Sequence, residues 1–291
     1  MPTLADDVRA HAKHVVDHAR WVRIDLDRIG DVQPGPEPTL DPDRHYLDGP
    51  ADAVASYLLC LTAINFGSGW FPTLAKRKGM SGYFTVASRL ADRYREHGAW
   101  TNEHLAAVST EEIADVLGQR RDHELMALYS QALRQLGTFL NHRTALELVE
   151  RAGGSADALA RTVAGGMSMW RDVGFYKRAQ ILASDFHLAG LASFADLDRA
   201  TIFADNLVPH VLRCDGVLVY ADELAQIIDA EQTVRDPAME REIRASAVHV
   251  CTIIAERLGV PERTLDGWLW NRGQAPAYKA RPRHRARNVF Y

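Results

Sequence analysis

Cysteine is scarce: Cys60, Cys214 and Cys251 are the three in 291 residues, far apart in apolar contexts, with no CxxC pair and no histidine at ligand spacing. This excludes a disulfide framework and a zinc ribbon, and it points to core thiols in a reducing compartment. Excess positive charge is also missing. The 34 Lys and Arg against 38 Asp and Glu give a net charge of −4, so no global field recruits nucleic acid and any contact with a polyanion must be local. The longest apolar stretch, residues 57–66, is broken by Thr62 and Asn65 and is too short to cross a bilayer. The first residues, MPTLADD, are acidic where a secretory leader would be basic and then apolar. A soluble, cytoplasmic protein with no membrane partner is expected. There is no internal repeat, no low-complexity tract and no dinucleotide fingerprint, since Gly67 and Gly69 form a GxG that lacks the third glycine and a preceding strand.

What is present is a chain with 47% hydrophobic residues, enough for a sizeable core, and a recurring helical period with little strand alternation. The pattern predicts an all-α protein, one domain over residues 1–291 with a loop break near 30–44, where Pro34, Gly35, Pro36, Pro38 and Pro42 cluster. Val8, Ala12, Val15, Ala19 and Val22 predict a helix over residues 6–29, carrying His11, His14 and His18 on one solvated side. No carboxylate or cysteine joins these histidines, so they are not read as a metal site. Helices are also predicted over 51–65, from Ser81 through Tyr94, over 120–140 and on through Val149, and from Ser155 through Val163. Thr110, or Ser109 as second candidate, caps another. The Asp196-Leu197-Asp198 run is placed as the cap of the segment carrying Phe203 and Asp205, Pro209 fits the first turn of the next helix, and Asp215-Gly216 stops it. A long apolar helix follows through Ile243, Ala247, Val250, Ile254 and Leu258, with Arg244 salt-bridged at its end.

Two stretches carry candidate chemistry. In FYKRAQILASD, residues 175–185, Tyr176, Ala179, Ala183 and Phe186 share a helix face and Lys177 lies in the first turn; in TIFADN, residues 201–206, Asp205 sits in an apolar run. A carboxylate there needs a partner or a task. The plain reading is that Lys177 and Asp205 form a buried ion pair or point to water. Downstream, Asp266 either caps a helix or, with Trp268, Trp270 and Asn271, faces a flat heterocycle.

Taken in order, FYKRAQIL, TIFAD followed by a proline and GVLVY, then EREIRAS, LDGWLW and the final RNVFY resemble the successive motifs of the queuosine salvage proteins, known as queuosine 5′-phosphate N-glycosylase/hydrolase. The resemblance runs from about Arg44 to the last residue. It implies a helical fold like that of the helix-hairpin-helix DNA glycosylases, for which the 208–216 helix and glycine turn supply a local outline. It implies hydrolysis of the N-glycosidic bond of queuosine 5′-phosphate, releasing queuine, with no cofactor, no metal and no intact tRNA or DNA as partner. By the same resemblance His45, Asp266 and the positions after it contact the base, and the basic tail lies near phosphate or ribose. Asn271 stands where relatives commonly have an acidic residue. For such a reaction Asp205 is the expected carboxylate beneath the sugar, Lys177 its charge partner or a ribose or phosphate ligand, Phe203 the stacking ring, and the backbone near Leu265 a contact to the base. The readings that compete are a DNA-repair glycosylase or lyase and a non-catalytic 7-deazapurine nucleoside-binding protein.

Overall fold

Backbone hydrogen bonding in water favours helices only where an apolar stripe is buried, and this chain buries one after another. In the computed structural model, which describes residues 2–291, the helices are α1 (Leu4–Asp17), α2 (Ala51–Ala63), α3 (Gly82–His97), α4 (Asn102–Ala107), α5 (Thr110–Leu117), α6 (Glu124–Leu140) and α7 (Ala145–Arg151) in the first half. The second half holds α8 (Ala156–Gly166), α9 (Lys177–Leu188), α10 (Val208–Cys214), α11 (Asp222–Asp229), α12 (Pro237–Leu258), α13 (Glu262–Arg272) and α14 (Pro276–Lys279). One antiparallel pair, β1 (Val22–Ile24) with β2 (Leu218–Tyr220), is the only sheet among the described residues. The fold is mainly helical.

α12 is the long apolar helix expected. Asp236 caps it by accepting from the Ala238 amide, Pro237 occupies its first turn, and Gly259 ends it at φ 67°. Ile243, Ala247, Val250 and Ile254 are fully buried, and each large aliphatic side chain contributes about 2 kcal/mol by leaving water. α12 packs against α1, α10 and α13; α9 packs between α2 and α8. No helix among the described residues is long and apolar enough to cross a membrane.

Five expectations are corrected. The helix predicted over 6–29 stops at Asp17, because the Glu242 carboxylate of α12 accepts the backbone amides of Arg20, Trp21 and Val22 and so draws that segment into β1. The helix predicted over 120–149 is two, α6 and α7, separated where Asn141 takes φ 54° and Thr144 opens a new capping box. Asp196 does not cap the 203–205 segment: it accepts from the Ser155 hydroxyl and from the Ala156 and Asp157 amides, at the start of α8. Gly216 does stop α10, at φ 79°, but β2 follows it before α11 begins. His11 also leaves the solvated side assigned to it, packing edge-on against Phe175 at 5.5 Å.

The proline-rich stretch, residues 32–41, has no regular structure and packs against α13: a Cβ at Gly35 would meet Trp268, and one at Gly267 would clash with Pro38. At the other end of the chain the tail returns to the core. Val234 donates to the Arg285 carbonyl at 2.8 Å, Gly67 to the Tyr291 carbonyl at 2.9 Å, and the Arg178 guanidinium to the Val289 carbonyl at 2.8 Å.

Candidate active site

α9 begins under strain. Tyr176 adopts the left-handed conformation, φ 51° and ψ 38°, at a cost of roughly 1–2 kcal/mol for a side chain of this kind. Asp172 holds it there: its carbonyl accepts from the Tyr176 amide at 2.7 Å and its carboxylate from the Lys177 amide at 3.2 Å. The helix then turns two faces to different tasks. Ala179, Ala183 and Phe186 enter the core, whereas Lys177, Ile181, Ser184, Asp185 and Leu188, at steps of three and four, line a cavity of about 1010 Å³.

Asp185, Asp205 and Asp266 line that cavity together with Lys177. Lys177 is buried, its ammonium donating to the Asn65 carbonyl at 3.3 Å; burial pushes it below the usual lysine range, and the charge of Asp205 opposes that push. Asp205 is half-buried, with Oδ1 accepting from the Leu207 amide at 2.7 Å and the Val208 amide at 3.3 Å. Oδ2 accepts no hydrogen bond from the described residues. Asp266, on α13, is buried, accepts from the Phe203 amide at 2.8 Å, and is raised to about 7 by burial and then by the charge of Asp205. Asp185, on α9, is likewise raised by burial to about 7, against the pull of Lys177. Two carboxyl groups at about 7 beside one held by backbone amides gives both acid and base forms at neutral pH.

Aromatic rings form one wall. Trp270 stands edge-on to Tyr83 and Phe84, at centroid distances of 6.1 and 5.5 Å, and Phe203 and Phe71 line the same space. His45 is buried among them. Its Nδ1 lies 2.9 Å from the Asp41 carbonyl, which can only accept, so that nitrogen carries the proton and Nε2 accepts from the Tyr83 hydroxyl at 3.0 Å. Burial lowers its pKa, so the ring is neutral. Both nitrogens are thereby used within the protein, and what His45 offers the cavity is its ring face.

The tail and one loop form a basic rim. Lys76, Lys279, Arg281 and Arg283 line the cavity without a carboxylate partner among the described residues, while Arg285 is paired with Glu231 at 2.8 Å and Arg263 with Asp198 at 2.7 Å. Burial, with the like charge of Arg283 and Arg285 added, lowers the Lys76 ammonium. Four unpaired cations converging on a cavity favour an anion there. No group of three or more metal-ligating side chains occurs among the described residues.

Of the residues expected from the sequence, the structure brings Lys177, Asp205, His45, Phe203, Asp266, Trp270 and Asn271 to one cavity, with Asn271 exposed at its edge. Leu265 is not among them: it is fully buried and packs in the core. The sequence reading missed Asp185. Its signal was the eight-residue step from Lys177, which returns to the same helix face, but the apolar residues beside it drew attention to the opposite face. The 66–71 aromatics are divided, Phe66 and Phe71 lining the cavity and Trp70 donating to Glu124 at 2.7 Å outside it.

Carboxyl groups about a buried lysine, an aromatic wall and a cationic rim, set in a mainly helical fold, make a cavity suited in shape and charge to a small, ring-bearing anion. The chain belongs to the queuosine salvage protein family, whose profile matches residues 45–291. It is 30% identical, over 96% of both chains, to a Sphaerobacter thermophilus protein described as queuosine 5′-phosphate N-glycosylase/hydrolase. A Bos taurus protein of the same description is 26% identical over 97% of this chain and 98% of its own. A Dictyostelium discoideum protein, again so described, is 38% identical over 42% of this chain and 41% of its own.

Proposed function

We propose that the protein hydrolyses the N-glycosidic bond of queuosine 5′-phosphate, releasing queuine for salvage and leaving ribose 5-phosphate, with residues 1–291 acting as one catalytic domain. The observation that carries this reading is the meeting, in one cavity, of a half-open aspartate beside a buried lysine with four unpaired cations at the rim. Family membership and the descriptions of the relatives support the same substrate. We further propose that the helical arrangement is related to that of the helix-hairpin-helix DNA glycosylases.

Breaking an N-ribosyl bond places positive charge on the sugar ring. Asp205 meets that charge: its Oδ1 is anchored by two amides, which leaves Oδ2 for the anomeric centre or for the water that attacks it. Lys177 supplies the opposite charge to Asp205 in the cavity. The bond between sugar carbon and base nitrogen breaks, the water oxygen takes its place on the carbon, and the proton released leaves with the base. Queuine is a 7-deazaguanine and lacks the ring nitrogen that ordinary purine hydrolases protonate. Asp266, about half protonated near pH 7, hands a hydrogen bond to the base edge while Phe203 and Trp270 flank the ring. The rim cations Lys279, Arg281 and Arg283 hold the 5′-phosphate.

The test is to incubate purified protein with queuosine 5′-phosphate and follow free queuine by chromatography. Equimolar queuine and ribose 5-phosphate are expected; tight binding with no product would sink the hydrolytic reading and favour a binding protein.

A further inference from the structure

Arg244 lies on α12, away from the cavity lining, yet one of its bonds ends on the backbone next to Asp205 and two others on the carboxylate that holds the Lys177 amide. It is 2% exposed. Nε donates to the carbonyl of Ala204, the residue before Asp205, at 2.9 Å. Nη1 and Nη2 donate to the two carboxylate oxygens of Asp172 at 3.0 and 2.6 Å. Asp172 in turn accepts from the Lys177 amide at 3.2 Å. The guanidinium carbon lies over two rings, 4.0 Å from the Phe175 centroid and 4.5 Å from the Tyr291 centroid. A continuous chain of charge-assisted bonds therefore runs from the lysine's amide, through one buried ion pair, to the aspartate's neighbour.

We infer that the Arg244–Asp172 pair is a positioning device that sets the separation of Lys177 and Asp205. Stability alone does not call for it, since a buried ion pair is often replaceable by apolar side chains of similar volume at no loss. A single geometry is what a forked guanidinium supplies and apolar packing does not. The left-handed Tyr176 agrees with this: strain is held at the residue before the lysine by the same Asp172. Between the α9 and 201–206 segments themselves, the hydrogen bonds of Gln180 land on Thr201, four residues before Asp205. The inference rests on the proposed roles of Lys177 and Asp205.

The test uses Asp172→Asn, nearly isosteric, and Arg244→Lys, which keeps a positive charge beside Asp172 but cannot reach both partners. Glu242→Gln is the structural control, because that carboxylate, on the same helix, anchors residues 20–22 instead of the site. Misplacement by about 1 Å costs on the order of 100-fold in turnover, so kcat on queuosine 5′-phosphate should fall about 10- to 100-fold in each clamp variant with KM within about threefold. The control should lose melting temperature but keep kcat within about twofold. NMR of 13C-methylated Lys177 gives a readout independent of activity: its resonance and titration midpoint should move in both clamp variants and not in the control. An unmoved lysine signal, or a kcat loss no larger than the control's, overturns the inference. Should the wild type hydrolyse nothing, the proposed function fails and the lysine signal alone decides the clamp.

Discussion

Asp185 and Asp205 line the same cavity, and their surroundings set them apart. Asp205 is fixed by two backbone amides, whereas burial keeps Asp185 at about 7. A carboxyl group raised above its ordinary 3.8 takes up a proton on folding, so its contribution to stability is present below about pH 4 and is lost as pH rises through about 7. The buried histidines act in the opposite sense: His284, lowered to about 3, contributes stability that grows as pH rises from about 3 to 6.5. The difference between variant and wild type isolates the aspartate. Asp185→Asn should match the wild type in melting temperature near pH 4 and exceed it increasingly toward pH 8; a constant difference would show that Asp185 is ionised throughout. At this scale the sequence exposed Lys177 and Asp205, because charge in an apolar run is conspicuous. It concealed Asp185 and the Arg244–Asp172 link, because helix register and a contact spanning 72 residues are properties of the folded chain.

Elements were legible where their ends were written locally. Ser81 and Ser155 cap the helices they precede, Ser109, the second candidate, caps α5 in place of Thr110, and Pro209 and Gly216 bound α10 as read. Two of the misreadings share one cause: a distant carboxylate outcompeted local periodicity, Glu242 at residues 20–22 and Asp196 at the start of α8. The tail was legible only by likeness, since nothing local says that six cations after residue 271 will be ordered. One glycine secures its docking. A Cβ at Gly69 would clash with the Ala286 backbone carbonyl, so Gly69→Ala should push the tail off the 66–70 turn, cost about 1–3 kcal/mol in urea unfolding, and raise KM. Unchanged stability and KM would mean that the tail does not need this seat.

For the whole molecule the balance of charge and its placement point in different directions. The net charge of −4 repels polyanions at a distance, while four unpaired cations line one cavity. Composition therefore excluded a nucleic-acid-coating protein but could not locate the rim. Screening follows: from about 50 mM to about 500 mM salt, KM for queuosine 5′-phosphate should rise several-fold with kcat steady, while KM for the unphosphorylated nucleoside stays flat. Equal salt dependence for both would remove the phosphate from the rim. The central claim is that Asp205 meets the charge formed on the sugar, and turnover of Asp205→Asn measures it most directly. In a variant that keeps its fold and binds queuosine 5′-phosphate as the wild type does, kcat for queuine release should fall by about 10³-fold. A kcat within about tenfold of wild type would contradict it.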